Sequence, residues 1–333
     1  MNVFSYQRAQ DTASAIKLFT AGRNSRYLAG GTNLVDLMRE NIEQPETIVD
    51  VSGIAQDIRV LDNGGIILGA GAKNTAVASH RDVRKRFPLL AQAIVNGASA
   101  QIRNMATVGG NVLQRTRCYY FYDEAARCNK RVRGSGCDAL EGFNRIHAIL
   151  GTSPHCIATH PSDMCVALVA LDAIVHVEGS SGQRRLKLSE LHRLPGESPH
   201  VETQLSADEL ITAVEVPPLR FATRSVYRKV RDRASYAFAL VSVAAALELD
   251  DRGERVIDAR LALGGVAHKP WRASLAEDVL RGAPATDETF RLAAEAELKP
   301  AVGHEYNAFK IELAKRVIVN ALQELTGRSG VQL

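Results

Sequence analysis

The sequence predicts an α+β fold in two units, and three observations carry that prediction. The chain has 333 residues, more than one hydrophobic core usually organises. Its first hundred residues alternate helical and strand periodicities. Beyond Pro217-Pro218 strand patterns come first and helical patterns follow, the order of a separate α+β unit.

Taken in order, Asp11 to Thr20 opens on a capping residue and sets Ala15, Ile16 and Phe19 on one helical face. Arg26 to Ala29 is a short strand that runs into Gly30-Gly31-Thr32-Asn33. Leu34, Val35, Leu37 and Met38 then mark a helix opened by Thr32 or Asn33. Strands are expected at Thr47–Val51, Ile58–Leu61 and Ile66–Ala70, and Asp62-Asn63-Gly64-Gly65 makes the last two a hairpin. Helices follow over Thr75–Arg86 and Pro88–Asn96. From Arg115 to about Gly151 periodicity is weak, which reads as an inserted functional loop. Regular structure resumes at Cys156-Ile157-Ala158-Thr159, then a helix from Pro161-Ser162-Asp163 to Leu171 and a strand at Ala173–Glu178. Ser180 to Asp208 is polar and turn-rich. Leu210–Val216 alternates as a strand that the proline pair stops. In the second unit strands are expected near Ser225–Val230, Ala237–Leu249 and Val256–Leu263. Helices are expected at Ala273–Leu280, Asp287–Ala296 and Tyr306–Leu325.

Composition narrows the function. The 41 basic and 37 acidic residues leave a diffuse +4, too mild to argue for nucleic acid. No apolar run approaches the length of a membrane span, and the N-terminus has no signal-peptide pattern. Five cysteines, an odd number in a long chain, argue against a disulfide framework. Cys165, within an apolar helical run, reads as core. No Gly-x-Ser-x-Gly elbow and no His-x-x-x-His pair supports hydrolytic chemistry. His155 and His160 flank Cys156 and are read as structural, with a hydrogen bond to a ligating cysteine as the alternative for either, and Trp271 as packing in the second unit.

Two features carry chemistry. Gly30-Gly31-Thr32-Asn33 and Gly109-Gly110-Asn111 are glycine loops that lead into helices, where backbone N–H groups can cradle phosphate. Neither matches the dinucleotide fingerprint or the P-loop, so a standard Rossmann domain and a P-loop ATPase are disfavoured. Cys118, Cys128, Cys137 and Cys156 follow with gaps of nine, eight and eighteen residues, too irregular for a zinc ribbon. Such spacing still suits four thiolates converging on an iron–sulfur cluster, with zinc as the rival; unmetallated core cysteines are disfavoured, because a polar loop supplies no core. Arg115, Arg117, Arg127, Lys130, Arg131 and Arg133 lie in the same segment, as a solvated loop or as cations balancing a negative cluster.

The runs Leu28-Ala29-Gly30-Gly31-Thr32-Asn33-Leu34, Thr107-Val108-Gly109-Gly110-Asn111-Val112 and Pro161-Ser162-Asp163 resemble the flavin-binding motifs of the molybdenum hydroxylase family. That family includes xanthine dehydrogenases, carbon monoxide dehydrogenases and aldehyde oxidoreductases. The likeness continues through Tyr227 to Ala237 and Gly264 to Arg272, so it covers nearly the whole chain. Cys118, Tyr120-Phe121-Tyr122-Asp123, Cys128-Asn129-Lys130-Arg131 and Gly134-Ser135-Gly136-Cys137 resemble the insertion in the flavin subunit of bacterial periplasmic aldehyde oxidoreductases.

The resemblance implies a two-subdomain FAD-binding domain of the vanillyl-alcohol-oxidase-like (PCMH) type over residues 1–218, with an iron–sulfur insertion at about 115–156. It implies a C-terminal domain of the carbon monoxide dehydrogenase flavoprotein type over 224–330. FAD would be held by Leu28, Ala29, Gly30, Gly31, Thr32, Asn33, Leu34, Gly97, Thr107, Val108, Gly109, Gly110, Asn111, Asp163, Ile211 and Lys229. One [4Fe–4S] cluster would be held by Cys118, Cys128, Cys137 and Cys156. An unaided reading makes Asp163 an N-cap and Lys229 a solvated strand residue.

The chain is then expected to be the medium subunit of a heterotrimeric molybdenum-dependent aldehyde oxidoreductase, with no catalytic residue of its own. It would pass electrons from a small subunit with two [2Fe–2S] clusters to an external acceptor, with substrate oxidised on a large molybdenum subunit. Export would follow a signal on the small subunit; otherwise the enzyme would be cytoplasmic. The alternatives are a stand-alone FAD oxidase of the vanillyl-alcohol type and a non-enzymatic cluster-binding scaffold.

Overall fold

The computed structural model describes residues 1–327, so the last three positions of the expected 224–330 domain lie outside it. Three short strands, β1 (Ser5–Arg8), β2 (Ser25–Leu28) and β3 (Thr47–Asp50), form a parallel sheet in the order β1-β3-β2. Helices α1 (Thr12–Ala21) and α2 (Leu34–Arg39) make the crossovers. Asp11 caps α1 reciprocally: its carboxylate accepts from Ser14 N at 2.7 Å, and Ser14 Oγ accepts from Asp11 N at 3.0 Å.

The second subdomain is an antiparallel sheet of β4 (Ile58–Val60), β5 (Ile66–Gly69), β6 (Ile174–Gly179), β7 (Gly182–Lys187) and β8 (Leu210–Val216), ordered β4-β5-β8-β6-β7. Between β5 and β6 lie α3 (Asn74–Ser79), α4 (Arg81–Arg86), α5 (Pro88–Asn96), α6 (Ala100–Met105), α7 (Val108–Val112), α8 (Tyr119–Tyr122) and α9 (Asp163–Ala170). The turn α10 (Leu188–Leu191) follows β7. The single helix expected over Thr75–Arg86 is two. His80 takes an extended conformation and accepts from Asp82 N through Nδ1 at 3.3 Å, so it caps a new helix instead of continuing the old one. β7 was hidden in the polar stretch because GQRRLK is exposed at every position but Leu186. Cys156 to Thr159 is not regular structure. It is an irregular run pinned by Ala148 N donating to Ile157 O at 2.8 Å.

All eight residues of α9 are buried, since the helix lies between the five-stranded sheet's core and the C-terminal unit. Cys165 is fully buried there, as expected. The C-terminal unit is an antiparallel sheet, β9 (Ser225–Val230), β10 (Val241–Leu249), β11 (Val256–Gly264) and β12 (Trp271–Arg272), in the order β12-β11-β10-β9. Helices α11 (Ser274–Leu280), α12 (Asp287–Leu298) and α13 (Phe309–Leu325) cover it, closing a second core around Val243, Leu261, Phe290 and Ile318. Trp271 packs on that core and donates Nε1–H to Glu297 at 2.7 Å. Among the described residues no helix is long and apolar enough to cross a membrane.

Candidate functional site

The first glycine loop leaves β2 at Ala29 and enters α2 at Leu34. Gly31 sits at φ +74°, a left-handed conformation that a side chain would strain, and a Cβ on Gly30 would fall 2.0 Å from Met105 O. None of the N–H groups of Gly30, Gly31, Thr32, Asn33 and Leu34 donates a hydrogen bond among the described residues. Asn33 occupies the N-cap position without capping. Its Oδ1 accepts from Arg115 N at 2.9 Å, and its Nδ2 is buried with no partner among the described residues. Consecutive free N–H groups at a helix start, plus a bare amide, form a donor array built for an anion.

The second loop repeats the sequence but not the chemistry. Val108 N donates to Ala72 O at 3.0 Å, Gly109 N to Ala70 O at 2.8 Å, and Gly110 N to Thr107 Oγ1 at 3.2 Å. Asn111 Oδ1 accepts from Ser162 Oγ at 2.6 Å and from Gln114 Nε2 at 2.7 Å. Below the loop, Val112 O accepts from the Nε2 atoms of His192 at 2.9 Å and His160 at 3.3 Å. Burial drives both imidazoles toward the neutral form, His192 down to about 4 and His160 well below its ordinary value. The loop is a braced wall that turns two glycines, Gly109 and Gly110, toward the cleft.

Between the loops lies a cleft of about 820 Å³, within the range of cofactor sites. Ala29 through Leu34, Thr107, Gly109, Gly110 and Ile211 line it. Leu28, Val108 and Asn111 stand behind those walls, Val108 as buried core.

Gly97, Asp163 and Lys229 gather elsewhere, at the seam between α5, α9 and β9. Ser162, not Asp163, caps α9, accepting from Cys165 N at 3.0 Å. Asp163 is 7% exposed; its carboxylate accepts from Tyr227 OH at 2.6 Å and Lys229 Nζ at 2.8 Å. Lys229 is therefore no solvated strand residue. Alternation along β9 points Tyr227 and Lys229 to the same side, and Lys229 also donates to Asn96 O at 3.0 Å. A Cβ on Gly97 would lie 3.2 Å from Asp163 Oδ2, which explains a glycine at that position. Burial pushes the Asp163 carboxyl up, while Lys229 and Tyr227 pull it back toward the ionised form.

The insertion is not a loop without a core. Cys118, Cys128 and Cys156 are buried with Phe121, Ala139, Ile157, Ala158 and Leu37 of α2 in a cluster of their own, and the half-buried Cys137 packs against it. Short turns, not a helical or strand period, bring these residues together, so the apolar pattern was invisible in sequence. Cys128 and Cys137 face each other across an antiparallel bridge, and all four thiols are free. Burial pushes Cys118 and Cys156 up to about 12, so any metal must displace their protons. Among the described residues no three His, Cys, Asp or Glu side chains close around a single ion. A tetrahedral zinc site needs sulfurs about 3.8 Å apart, given its bond length. The four thiols share one small apolar cluster, and four thiolates are the donor set an iron–sulfur cluster takes.

Of the six cations of the segment, Arg115, Arg117 and Lys130 are drawn into ion pairs with limited exposure, whereas Arg133 is exposed. Arg115 bridges Glu43 and Glu202, each at 2.6 Å, Arg117 reaches Asp36 at 3.2 Å, and Lys130 pairs with Glu202. Three residues escaped the sequence reading: Tyr227, the half-buried Glu202 held down to about 2 by Lys130 and Arg115, and His147 against Cys118. No local motif marks any of them, because each acts on a partner far away in sequence. Of the two histidines beside Cys156, His155 is exposed and His160 braces the second glycine loop.

Comparison with known proteins agrees with this geometry. Residues 2–219 match the FAD binding domain in molybdopterin dehydrogenase, and residues 225–325 match the CO dehydrogenase flavoprotein C-terminal domain. The chain is 48% identical to the aldehyde oxidoreductase FAD-binding subunit PaoB of Escherichia coli, across 97% of this chain and 98% of that one. It is 28% identical to the glyceraldehyde dehydrogenase medium chain of Sulfolobus acidocaldarius, with the same coverage of each. Its fold is shared by reconstituted CO dehydrogenase from Oligotropha carboxidovorans, with a TM-score of 0.76 at 21% identity, covering 98% of this chain and 99% of the other.

Proposed function

The chain belongs to the FAD-binding medium subunits of the molybdenum hydroxylase family, and from that premise we propose that it serves a molybdenum-dependent aldehyde oxidoreductase. In this reading it is the electron-transfer subunit between a small [2Fe–2S] subunit and an external acceptor. The oxidation of aldehyde belongs to a large molybdenum subunit. The insertion's likeness to periplasmic enzymes extends the reading to co-export with a signal-bearing small subunit. The observation that carries the proposal is the donor array of Gly30 to Leu34 facing a braced glycine wall across one cleft, in a chain 48% identical to an aldehyde oxidoreductase FAD-binding subunit.

The residues divide the work as follows. The N–H groups of Gly30 to Leu34 and the Asn33 amide would hold the FAD diphosphate. Thr107, Gly109 and Gly110 would let it approach the backbone closely, and Ile211 would close the far wall. Gly97, Asp163 and Lys229 form a second polar group whose carboxylate and ammonium would fix the cofactor's position from the C-terminal seam. When bound, FAD supplies the ability to take electrons singly and deliver them in pairs. Cys118, Cys128, Cys137 and Cys156 would hold a [4Fe–4S] cluster. The domain division follows as FAD-binding residues up to 218 and a C-terminal domain from 224.

An absorption spectrum of the purified chain tests the whole reading: flavin bands and broad iron–sulfur absorption are both expected. Flavin without iron would reduce the chain to a flavoprotein, and neither would sink the proposal. Gly110→Val tests the cleft. A Cβ there meets only Thr107 Oγ1, at 3.1 Å, so the chain should fold while the branched side chain fills the cofactor's path. Stoichiometric FAD in that variant would contradict the assignment.

A further inference from the structure

One side chain touches the cysteine pocket from outside the four thiols. His147 is 1% exposed, and its Nε2 lies 3.1 Å from Cys118 Sγ. The backbone at His147 is fixed from two directions. His147 N donates to Asn144 O at 2.9 Å, while Lys310 Nζ at 2.7 Å and Asn307 Nδ2 at 3.3 Å donate to His147 O. Lys310 and Asn307 come from the C-terminal unit and are fully buried. The rings of Tyr119 and Tyr120 lie beside the imidazole, at 6.5 and 6.2 Å between centroids. Its other nitrogen, Nδ1, is buried without a partner among the described residues.

A neutral imidazole carries one N–H. A sulfur bound to iron can only accept, so a hydrogen bond at this contact places the hydrogen on Nε2 and leaves Nδ1 bare. Nδ1 meets no acceptor among the described residues that a second N–H would need, so the geometry fits the neutral ring with its hydrogen on Nε2. Leaving one buried nitrogen unpaired is costly, and the compensating contact is the one with sulfur. Hydrogen bonds to ligand sulfurs stabilise the reduced, more negative state of a cluster and so raise its reduction potential.

We propose that His147 is a positioning residue that donates Nε2–H to the Cys118 sulfur and raises the reduction potential of the cluster bound there. The inference rests on the reading of the four cysteines as cluster ligands. It also gives the C-terminal unit a way to reach the cluster, because Lys310 and Asn307 set where the imidazole stands.

The test compares iron content and midpoint potential, by EPR-monitored titration, in the full wild-type chain, His147→Leu and His147→Gln. The leucine variant should keep its iron and shift to lower potential. Glutamine, which restores an N–H, should recover part of that shift. An iron-replete leucine variant at the wild-type potential overturns the proposal. If the leucine variant does not assemble, pulsed EPR of the wild-type reduced cluster with ¹⁵N-labelled histidine decides. A nitrogen coupling that disappears in His147→Gln supports the bond, and no coupling in the wild type overturns it. A wild-type chain that binds no iron defeats the cluster reading itself, an outcome distinct from an unchanged potential.

Discussion

Gly30-Gly31-Thr32-Asn33 and Gly109-Gly110-Asn111 look like two copies of one device, yet they hold their N–H groups in opposite states. In the first loop five successive N–H groups have no partner among the described residues, nor does the asparagine's side-chain amide. In the second, Val108, Gly109 and Gly110 already donate to Ala72, Ala70 and Thr107, and the asparagine binds Ser162 and Gln114. Glycine serves donation in one case and close packing in the other. Two similar motifs can therefore build opposite walls of one site, one that binds and one that shapes.

The largest effect should come from breaking the contact between the walls. A methyl group on Gly30 would lie 2.0 Å from Met105 O, two residues before Thr107, and a backbone carbonyl yields little. Gly30→Ala should cost about 3 kcal/mol, the upper end for overpacking, and FAD with it. Thermal unfolding and flavin content would show this, and a variant as stable as wild type would mean that the loops do not abut.

Acid should loosen the second wall in particular, since buried neutral imidazoles brace it. His192 binds its proton less readily folded than unfolded, about 4 against 6.5. Its stabilising contribution is therefore complete above about pH 6.5 and lost as pH falls toward 4, by about 3 kcal/mol at about 1.4 per unit. His192→Gln, a neutral donor at every pH, should flatten the fall of Tm between pH 7 and 4.5. An unchanged slope would remove His192 from the account.

The two asparagines separate the walls most finely. Asn33→Ala should weaken FAD about ten- to hundredfold, the range for hydrogen bonds to a charged group. Asn111→Ala should cost about 1 kcal/mol of stability and leave FAD affinity nearly unchanged. Equal losses of affinity in both variants would erase the distinction.

Much of this architecture was legible in the chain. Leu210–Val216 falls where alternation placed it, Ser225–Val230 is the strand expected there, Asp11 caps its helix, and Cys165 is core. β1 was missed because all four of its residues are exposed, so no buried face marks it. The contrast between the loops was beyond reach, since it depends on carbonyls of Ala70 and Ala72 nearly forty residues upstream. Lys229 read as solvated because its partner Asp163 lies 66 residues away. The apolar pocket around the cysteines is assembled by turns, which leave no period to detect.

Amide hydrogen exchange with and without FAD addresses the division of labour most directly. The account predicts slow exchange at 108–110 in the FAD-free chain, little changed by the cofactor, and fast exchange at 30–34 that slows markedly when FAD binds. Fast exchange at 108–110 without FAD, slowed by the cofactor as much as 30–34, would contradict it.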